Sequence, residues 1–221
     1  MTNLLPACIS CNKQIRDAIY NGAFYPNLLI ILSAFIVLAV ILAILTYLNL
    51  NAQRRRKQHP DGSASRSRVP LNTAGMVLGI GLGGFVDGIV LHQLLQWHEM
   101  LSAKIPATNY VGKSVNMFWD GVFHAFCFLV VLLGLMLLWR AATSSIALKS
   151  GRLLIGGMLS GWAMFNLVEG TIDHHLLKLH NVMEYAPDHD IANFTFLGGS
   201  VLMLLFGTWL SRTSKDLSVL N

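Results

Sequence analysis

The residues most able to do chemistry are histidines and acids that lie within or beside long apolar segments. Imidazole nitrogens combined with carboxylates are the donors that zinc, copper and iron use in proteins. Ionisable side chains are costly inside a bilayer, so they usually face a bundle interior or a functional site. The sequence therefore predicts a metal or haem site built from this set: Asp87, His92, His98, Asp120, His124, Glu169, Asp173, His174, His175 and His180.

An ideal α-helix sorts these residues into layers. With a rise of about 1.5 Å per residue, Asp87 and His98 are roughly 16 Å apart, so one ion cannot contact both. The outer layer then holds His98 and His180, and Asp120 could join it. Below it lie a middle layer and a deep layer, with these members: His92, His124, Asp173 and His174 in the middle, and Asp87 and Glu169 in the deep layer.

The middle layer supplies the best candidate ligands, which are His92, His124 and His174, with Asp173 nearby. The acids Asp87, Glu169 and Asp120 would orient these imidazoles or balance charge, as carboxylates commonly do for metal-binding histidines. For His175 the helical geometry leaves two roles open, a ligand or a packing partner between helices.

Four other functions compete with a metal site. In a haem electron carrier, His92 and His174 would bind one iron from two sides. A membrane oxygenase would hold two irons, but the HxxxH and HxxHH clusters of membrane desaturases are absent. A proton or cation pathway would use Asp87 and Glu169, and a purely structural network would hydrogen-bond the helices to one another.

Composition places the chain in a membrane. Of its 221 residues 54% are hydrophobic and 12% charged, and the mean hydropathy is +0.55. Soluble domains carry about twice that charged fraction. Five stretches are long and apolar enough to span a bilayer, which predicts an all-α polytopic membrane protein with these spans: 28–48, 73–97, 116–139, 153–177 and 191–210.

The distribution of basic residues predicts the orientation. Lys and Arg concentrate after the first span, between the third and fourth spans, and after the fifth. Because these residues accumulate on the cytoplasmic side, the N-terminus should lie outside the cytoplasmic membrane and the C-terminus inside. The basic run at 54–68 then belongs to a cytoplasmic linker, and no nucleic-acid partner is expected.

Two segments of the chain repeat each other. Residues 85–98 read FVDGIVLHQLLQWH and residues 167–180 read LVEGTIDHHLLKLH, and matching residues are 82 positions apart. Such self-similarity indicates a duplicated helical hairpin, so the last four spans should form a pseudo-twofold bundle. Asp120 has Asn193 as its nearest equivalent. The glycines of GIGLGGF at 79–85 predict close helix packing.

The predicted organisation has five parts. An external segment at 1–27 is followed by the first span at 28–48 and a basic linker at 49–71. The four-helix bundle covers 72–212, with repeats at about 73–139 and 153–210, and a tail covers 213–221. In the first part Cys8 and Cys11 form a CxxC pair, either a disulfide or a thiol pair that takes soft metal. A short helix should run from Lys13 to Tyr20, ended by a turn at 24–27.

Three motifs carry a family resemblance. GLGGFVDGIVLHQLLQWHEM, DGVFHAF and GWAMFNLVEGTIDHHLLKLH resemble a family of predicted bacterial membrane proteins, domain of unknown function 2243, over residues 72–212. Some relatives are fused to a copper-assembly type domain of cytochrome oxidase. The resemblance therefore implies copper first, then iron or haem, then zinc, and a role in handing a redox metal to respiratory oxidase or copper-assembly proteins.

Overall fold

The computed structural model describes residues 12–20, 24–58, 67–144, 147 and 149–215. This part of the chain is helical and contains no β-strand, which confirms the all-α fold. Two short π-helical segments, Asp87–Leu94 and Gly170–Leu176, extend α4 and α6 respectively. The α-helices are α1 (Lys13–Tyr20), α2 (Phe24–Ile31), α3 (Ser33–Gln58), α4 (Val69–Val86), α5 (Tyr110–Thr143), α6 (Gly151–Glu169) and α7 (His189–Arg212).

The five predicted spans are confirmed. The helical stretches long and apolar enough to cross a membrane are Ser33–Arg55, Val69–Leu94, Tyr110–Thr143, Gly151–Leu176 and His189–Arg212. The helix expected from Lys13 to Tyr20 is also present as α1. The turn expected at 24–27 is wrong, because these residues form the first turn of α2, where proline is tolerated. Cys8, Cys11 and the last residues of the tail lie outside the described part.

Helices α4 and α6 cross at the centre of the bundle through glycines. A Cβ added to Gly79 would lie 2.0 Å from the carbonyl oxygen of Met158, and one added to Gly161 would lie 1.9 Å from that of Met76. Only glycine allows this approach, which confirms close packing through the GIGLGGF segment. The two contacts are reciprocal, since Met76 and Met158, like Gly79 and Gly161, are 82 residues apart.

The outer helices complete two hairpins. The first hairpin is α4 with α5, and the second is α6 with α7; α3 packs beside α4, and α1 packs on α5. Loops 95–109 and 177–188 join the helices of each hairpin, so both lie at one end of the bundle, which we call the loop end. Ile15 and Ile19 of α1 are buried in the core, and Tyr20 packs on Phe118 near the start of α5, so α1 also lies at the loop end.

Basic residues gather at the opposite end. Arg68 donates hydrogen bonds to the carbonyl of Arg212 at 2.7 Å and to that of Ser214 at 3.0 Å. Lys149 donates to the carbonyl of Ala141 at 2.9 Å. These cations satisfy carbonyls at helix C-termini, where positive charge is favoured by the helix dipole.

Candidate metal centre

Each central helix changes from α to π geometry where its acidic residue lies. A π-helix has i→i+5 hydrogen bonds and occurs frequently at functional sites. Leu95 N–H donates to the carbonyl of Val90, and Leu177 N–H donates to that of Ile172, both at 2.8 Å. Immediately after these bonds, Gln96 and Lys178 take φ values of 52° and 51°. The two helices therefore end in the same way, at positions 82 residues apart.

This turn folds the chain back toward the helix it has just left. His98 Nε2 comes within 3.7 Å of Asp87 Oδ1, and His180 Nε2 within 3.4 Å of Glu169 Oε1. The predicted layers, with His98 far above Asp87, are therefore wrong. Their calculation continued an ideal α-helix through Gln96, whereas the left-handed residue there ends the helix and reverses the chain.

Four buried imidazoles meet at the loop end, and we call them the histidine cluster: His92, His98, His174 and His180. Their ring centroids are 4.4 Å apart for His92 and His98 and 4.7 Å apart for His174 and His180. The loop histidines His98 and His180 stack on each other at 4.6 Å. The two diagonal pairs, His92–His180 and His98–His174, are each separated by 5.9 Å. The cluster thus has approximate twofold symmetry.

One carboxylate from each hairpin contacts the cluster. Asp87 Oδ2 lies 3.1 Å from His92 Nε2, and Glu169 Oε1 lies 2.7 Å from His174 Nε2. Both acids are buried, with 5% and 6% exposure. As noted above, each also approaches the loop histidine of its own hairpin, so that each carboxylate faces two imidazoles.

Despite these short distances, the facing atoms do not form hydrogen bonds. The Nε2 atoms of all four imidazoles, both Glu169 oxygens and Asp173 Oδ1 are buried without a hydrogen-bond partner. Leaving a buried polar group unpaired costs about 1–3 kcal/mol. Nitrogen and oxygen donors that converge in this way are able to hold a cation.

The donor atoms form two overlapping groups. Single donor atoms of His92, His98 and His180 all lie within 4.8 Å of one another, and so do those of Glu169, His174 and His180. Ligands that are each about 2.0–2.2 Å from one zinc ion lie no more than about 4.4 Å from one another. Small side-chain movements would therefore allow the three donors of either group to bind one ion. His180 belongs to both groups.

The first hairpin fixes the orientation of its two imidazoles. His92 Nδ1 donates to Asp120 Oδ1 at 2.9 Å, and His98 Nδ1 donates to the carbonyl of Val182 at 2.8 Å. A neutral imidazole that donates from Nδ1 keeps a lone pair on Nε2, the atom that faces the cluster. Asp120 also accepts from the backbone N–H of Met100. Asp120 therefore fixes the His92 ring in one orientation.

The second hairpin lacks these supports. Asn193 accepts from the backbone N–H of Val182 at 2.9 Å, and Val182 is 82 residues after Met100. Asn193 therefore makes in the second hairpin the backbone contact that Asp120 makes in the first. In this hairpin His174 Nδ1 is buried without a hydrogen-bond partner.

Asp173 lies near the cluster as well. It is 2% exposed, and with Asp87, Glu169 and His180 it lines a cavity of about 10 Å³ that Phe123 and Phe165 also line. The corresponding residue of the first hairpin is Leu91. The cavity is about the size of one water molecule.

The structure does not bring His124 or His175 into either donor group. His124 is half-buried between aromatic rings, with centroid distances of 5.8 Å to Phe123 and 6.1 Å to Phe85. His175 packs on Phe194 at 4.7 Å. Of the expected middle layer, His92, His174 and Asp173 thus lie at the cluster, and His124 lies beside it.

Glu99 was missed by the sequence analysis. It is 5% exposed, forms an ion pair with Lys113, and leaves Oε2 buried without a hydrogen-bond partner. Glu99 follows His98 directly, and together they line an open cavity at the loop end. Its position in the QWHEM sequence was the signal that could have drawn attention to it.

Burial also sets the charge of the shared histidine. Removal from water lowers the pKa of His180 well below its usual range. His180 is therefore neutral near pH 7. The neutral imidazole is the form that binds metals.

The fold and site define an integral membrane helix bundle with a buried cluster of histidines and carboxylates. The family described as "Predicted membrane protein (DUF2243)" matches residues 74–214, and the chain belongs to this family. The N-terminal region lies outside the match. The comparisons with curated proteins and with solved structures gave no match.

Proposed function

We propose that the chain is a membrane metalloprotein that holds a first-row transition metal at the histidine cluster. The observation that supports this most strongly is the convergence of four buried imidazole Nε2 atoms and two carboxylates without hydrogen bonds among them. The Nδ1 hydrogen bonds of His92 and His98 favour the same conclusion, since a neutral imidazole that donates from Nδ1 would direct its Nε2 lone pair into the cluster.

The size of the site favours an ion over haem. The space enclosed beside Asp87, Glu169 and His180 is about 10 Å³. Between His92 and His174, the expected axial ligands of a haem, the rings of His98 and His180 are stacked. A porphyrin would have to displace both rings and separate α4 from α6, whose backbones are in contact at Gly79 and Gly161.

The donor atoms restrict which metals the site could bind. Nitrogen and oxygen ligands suit Cu(II), iron and zinc, whereas Cu(I) prefers sulfur. Copper is the first candidate because of the family resemblance, followed by iron and then zinc. The proposed role is to bind a redox metal, or to pass it to respiratory oxidase or copper-assembly proteins.

The loop end is proposed to face the outside of the bacterial inner membrane. The basic residues at the other end support this orientation, since Lys and Arg are retained on the cytoplasmic side. The metal would then lie near the external surface, at the end of the bundle on which α1 packs.

Elemental analysis and an absorption spectrum of the detergent-purified chain test the proposal. We expect bound metal in the wild type and its loss, after dialysis against a weak chelator, in His92→Ala and His174→Ala. His189, the exposed first residue of α7, supplies the control, and His189→Ala should keep the metal. A Soret band would show that the site binds haem and would contradict the proposed metal ion. Wild-type protein that never retains metal would contradict both and support a purely structural polar network.

A further inference from the structure

We infer that the site binds two metal ions, one at each donor group, with His180 as the ligand they share. The inference rests on the proposed function and extends it from a metal site to a dinuclear centre. Three observations lead to it: the grouping of the donor atoms, the carboxylate beside each group, and the two ring nitrogens of His180, which are both buried without hydrogen-bond partners.

The donor atoms define two positions. In the described part of the chain, the donors fall into one group on His92, His98 and His180 and another on Glu169, His174 and His180. They do not form a single group in which all lie within 4.8 Å of one another. Three protein ligands are enough to hold a metal ion with an open position, so each group is complete by itself.

Charge compensation also favours two ions. Four carboxylates, those of Asp87, Asp120, Glu169 and Asp173, are buried with 2–6% exposure. Among the described residues, no Lys or Arg forms an ion pair with any of them. Uncompensated charge is very costly in a low-dielectric interior. Asp87 lies beside the first donor group and Glu169 belongs to the second, so each of two divalent cations would have its own anionic neighbour.

His180 is suited to contact both ions. Its Nδ1 and Nε2 are both buried without hydrogen-bond partners, whereas Nδ1 of its counterpart His98 donates to Val182. His180 is also the residue common to both donor groups. When each nitrogen binds one ion, the imidazole gives up its remaining N–H proton, which passes to solvent, as metal binding to protonated ligands requires.

Titration of the chelator-stripped full chain with Cu(II) tests the inference. We expect two tightly bound ions per chain by elemental analysis after gel filtration. The electron paramagnetic resonance signal of the fully loaded protein should be broadened or lost by coupling between the two ions. Half-loaded protein should give the signal of isolated Cu(II).

Matched variants separate the two positions. Glu169→Gln keeps the side-chain size and removes a charged donor of the second group, so it should bind one ion with an uncoupled signal. His189→Ala, on the exposed surface, should still bind two. The wild-type stoichiometry and signal decide the question even where a variant fails to fold.

The outcomes for the two proposals are distinct. One ion per chain, with an uncoupled signal at saturation, would overturn the dinuclear centre and leave the metalloprotein standing. No retained ion with Cu(II), Fe(II) or Zn(II) would overturn both. Two ions that are also retained by a double variant, His92→Ala with Glu169→Gln, would show surface binding and overturn the inference.

Discussion

The two hairpins have similar backbone conformations at the site and differ in the side chains that support it. Both central helices enter a π segment, both end at a left-handed residue, and both return a histidine to the acid of the same hairpin. In contrast, Asp120 is matched by Asn193, and Leu91 by Asp173. Each hairpin therefore supplies half of the cluster through the same backbone geometry, while the side chains that support each half are different.

A third difference follows from the glycine in each π segment. A Cβ on Gly88 would lie 2.3 Å from His124 Nε2, and one on Gly170 would lie 3.0 Å from Leu197 Cδ2. His124 and Leu197 thus occupy equivalent places on α5 and α7. The first hairpin carries polar groups on its outer helix, at Asp120 and His124, and the second carries its additional acid on the central helix.

The largest effect is expected where the hairpins are alike. Gly79→Leu and Gly161→Leu each place a side chain against a backbone carbonyl, at 2.0 and 1.9 Å from the added Cβ. Neither backbone can move without separating α4 from α6, so we expect a loss of more than about 3 kcal/mol in each variant. Thermal denaturation and size-exclusion chromatography in detergent measure this loss.

Gly198→Leu is the matched control, because a Cβ there meets no atom within 4 Å. It should behave as wild type. If only one of the two crossing glycines proved sensitive, the reciprocal packing of the hairpins would be refuted.

The next effect separates the hairpins. Asp120→Asn gives the first hairpin the residue found in the second and weakens the hydrogen bond that orients His92. Loss of such a partner typically lowers metal affinity 10–100-fold, and we expect a decrease in that range with the fold intact. Competition with a chelator of known affinity measures it. Asp190→Asn, on the exposed first turn of α7, is the control, and equal affinities of the two variants would contradict the orienting role.

The sequence was sufficient to predict the spans and the membership of most of the cluster. Span length and apolar composition depend little on details of geometry. Ionisable residues within membrane spans usually face the bundle interior, where they can pair with one another. His92, His98, His174 and His180 with Asp87 and Glu169 were all selected for this reason. Close packing at Gly79 followed from the need of crossing helices for small residues.

The arrangement within the cluster was not predictable in the same way. Gln96 and Lys178 are not residues that signal a left-handed conformation, so the end of each helix had no mark in the sequence. An α-helix continued through Gln96 places His98 about 16 Å from Asp87, whereas the two side chains are 3.7 Å apart in the structure. His124 was included for its depth along α5, whereas its distance from the cluster depends on the rotation of α5 against α4, which only their packing determines.

A smaller difference is expected within the π segments. Gly88→Ala must displace the ring of His124, which is held by Phe85 and Phe123, and we expect a loss of about 1–3 kcal/mol in stability. In Gly170→Ala the added Cβ would lie 3.0 Å from the flexible end of Leu197 and 3.3 Å from the ring of Phe196, and a smaller loss of about 1 kcal/mol should result. Parallel thermal denaturation of the two variants checks the order. A reversed order would show that His124 and Leu197 are not equivalent.

The smallest effect should come from His175, and it tests whether position in the structure or position in the sequence decides membership of the site. His175 directly follows His174, and the residue 82 positions before it is Gln93. In the structure it packs on the exposed ring of Phe194, outside both donor groups. His175→Gln, which gives the second hairpin the residue of the first, should leave metal content unchanged and cost less than about 1 kcal/mol. His174→Gln, one residue earlier, should abolish binding at the group it shares with Glu169 and His180. Equal metal loss in both variants would mean that the second π segment rotates to bring His175 inward, and the two hairpins would then differ in backbone as well as in side chains.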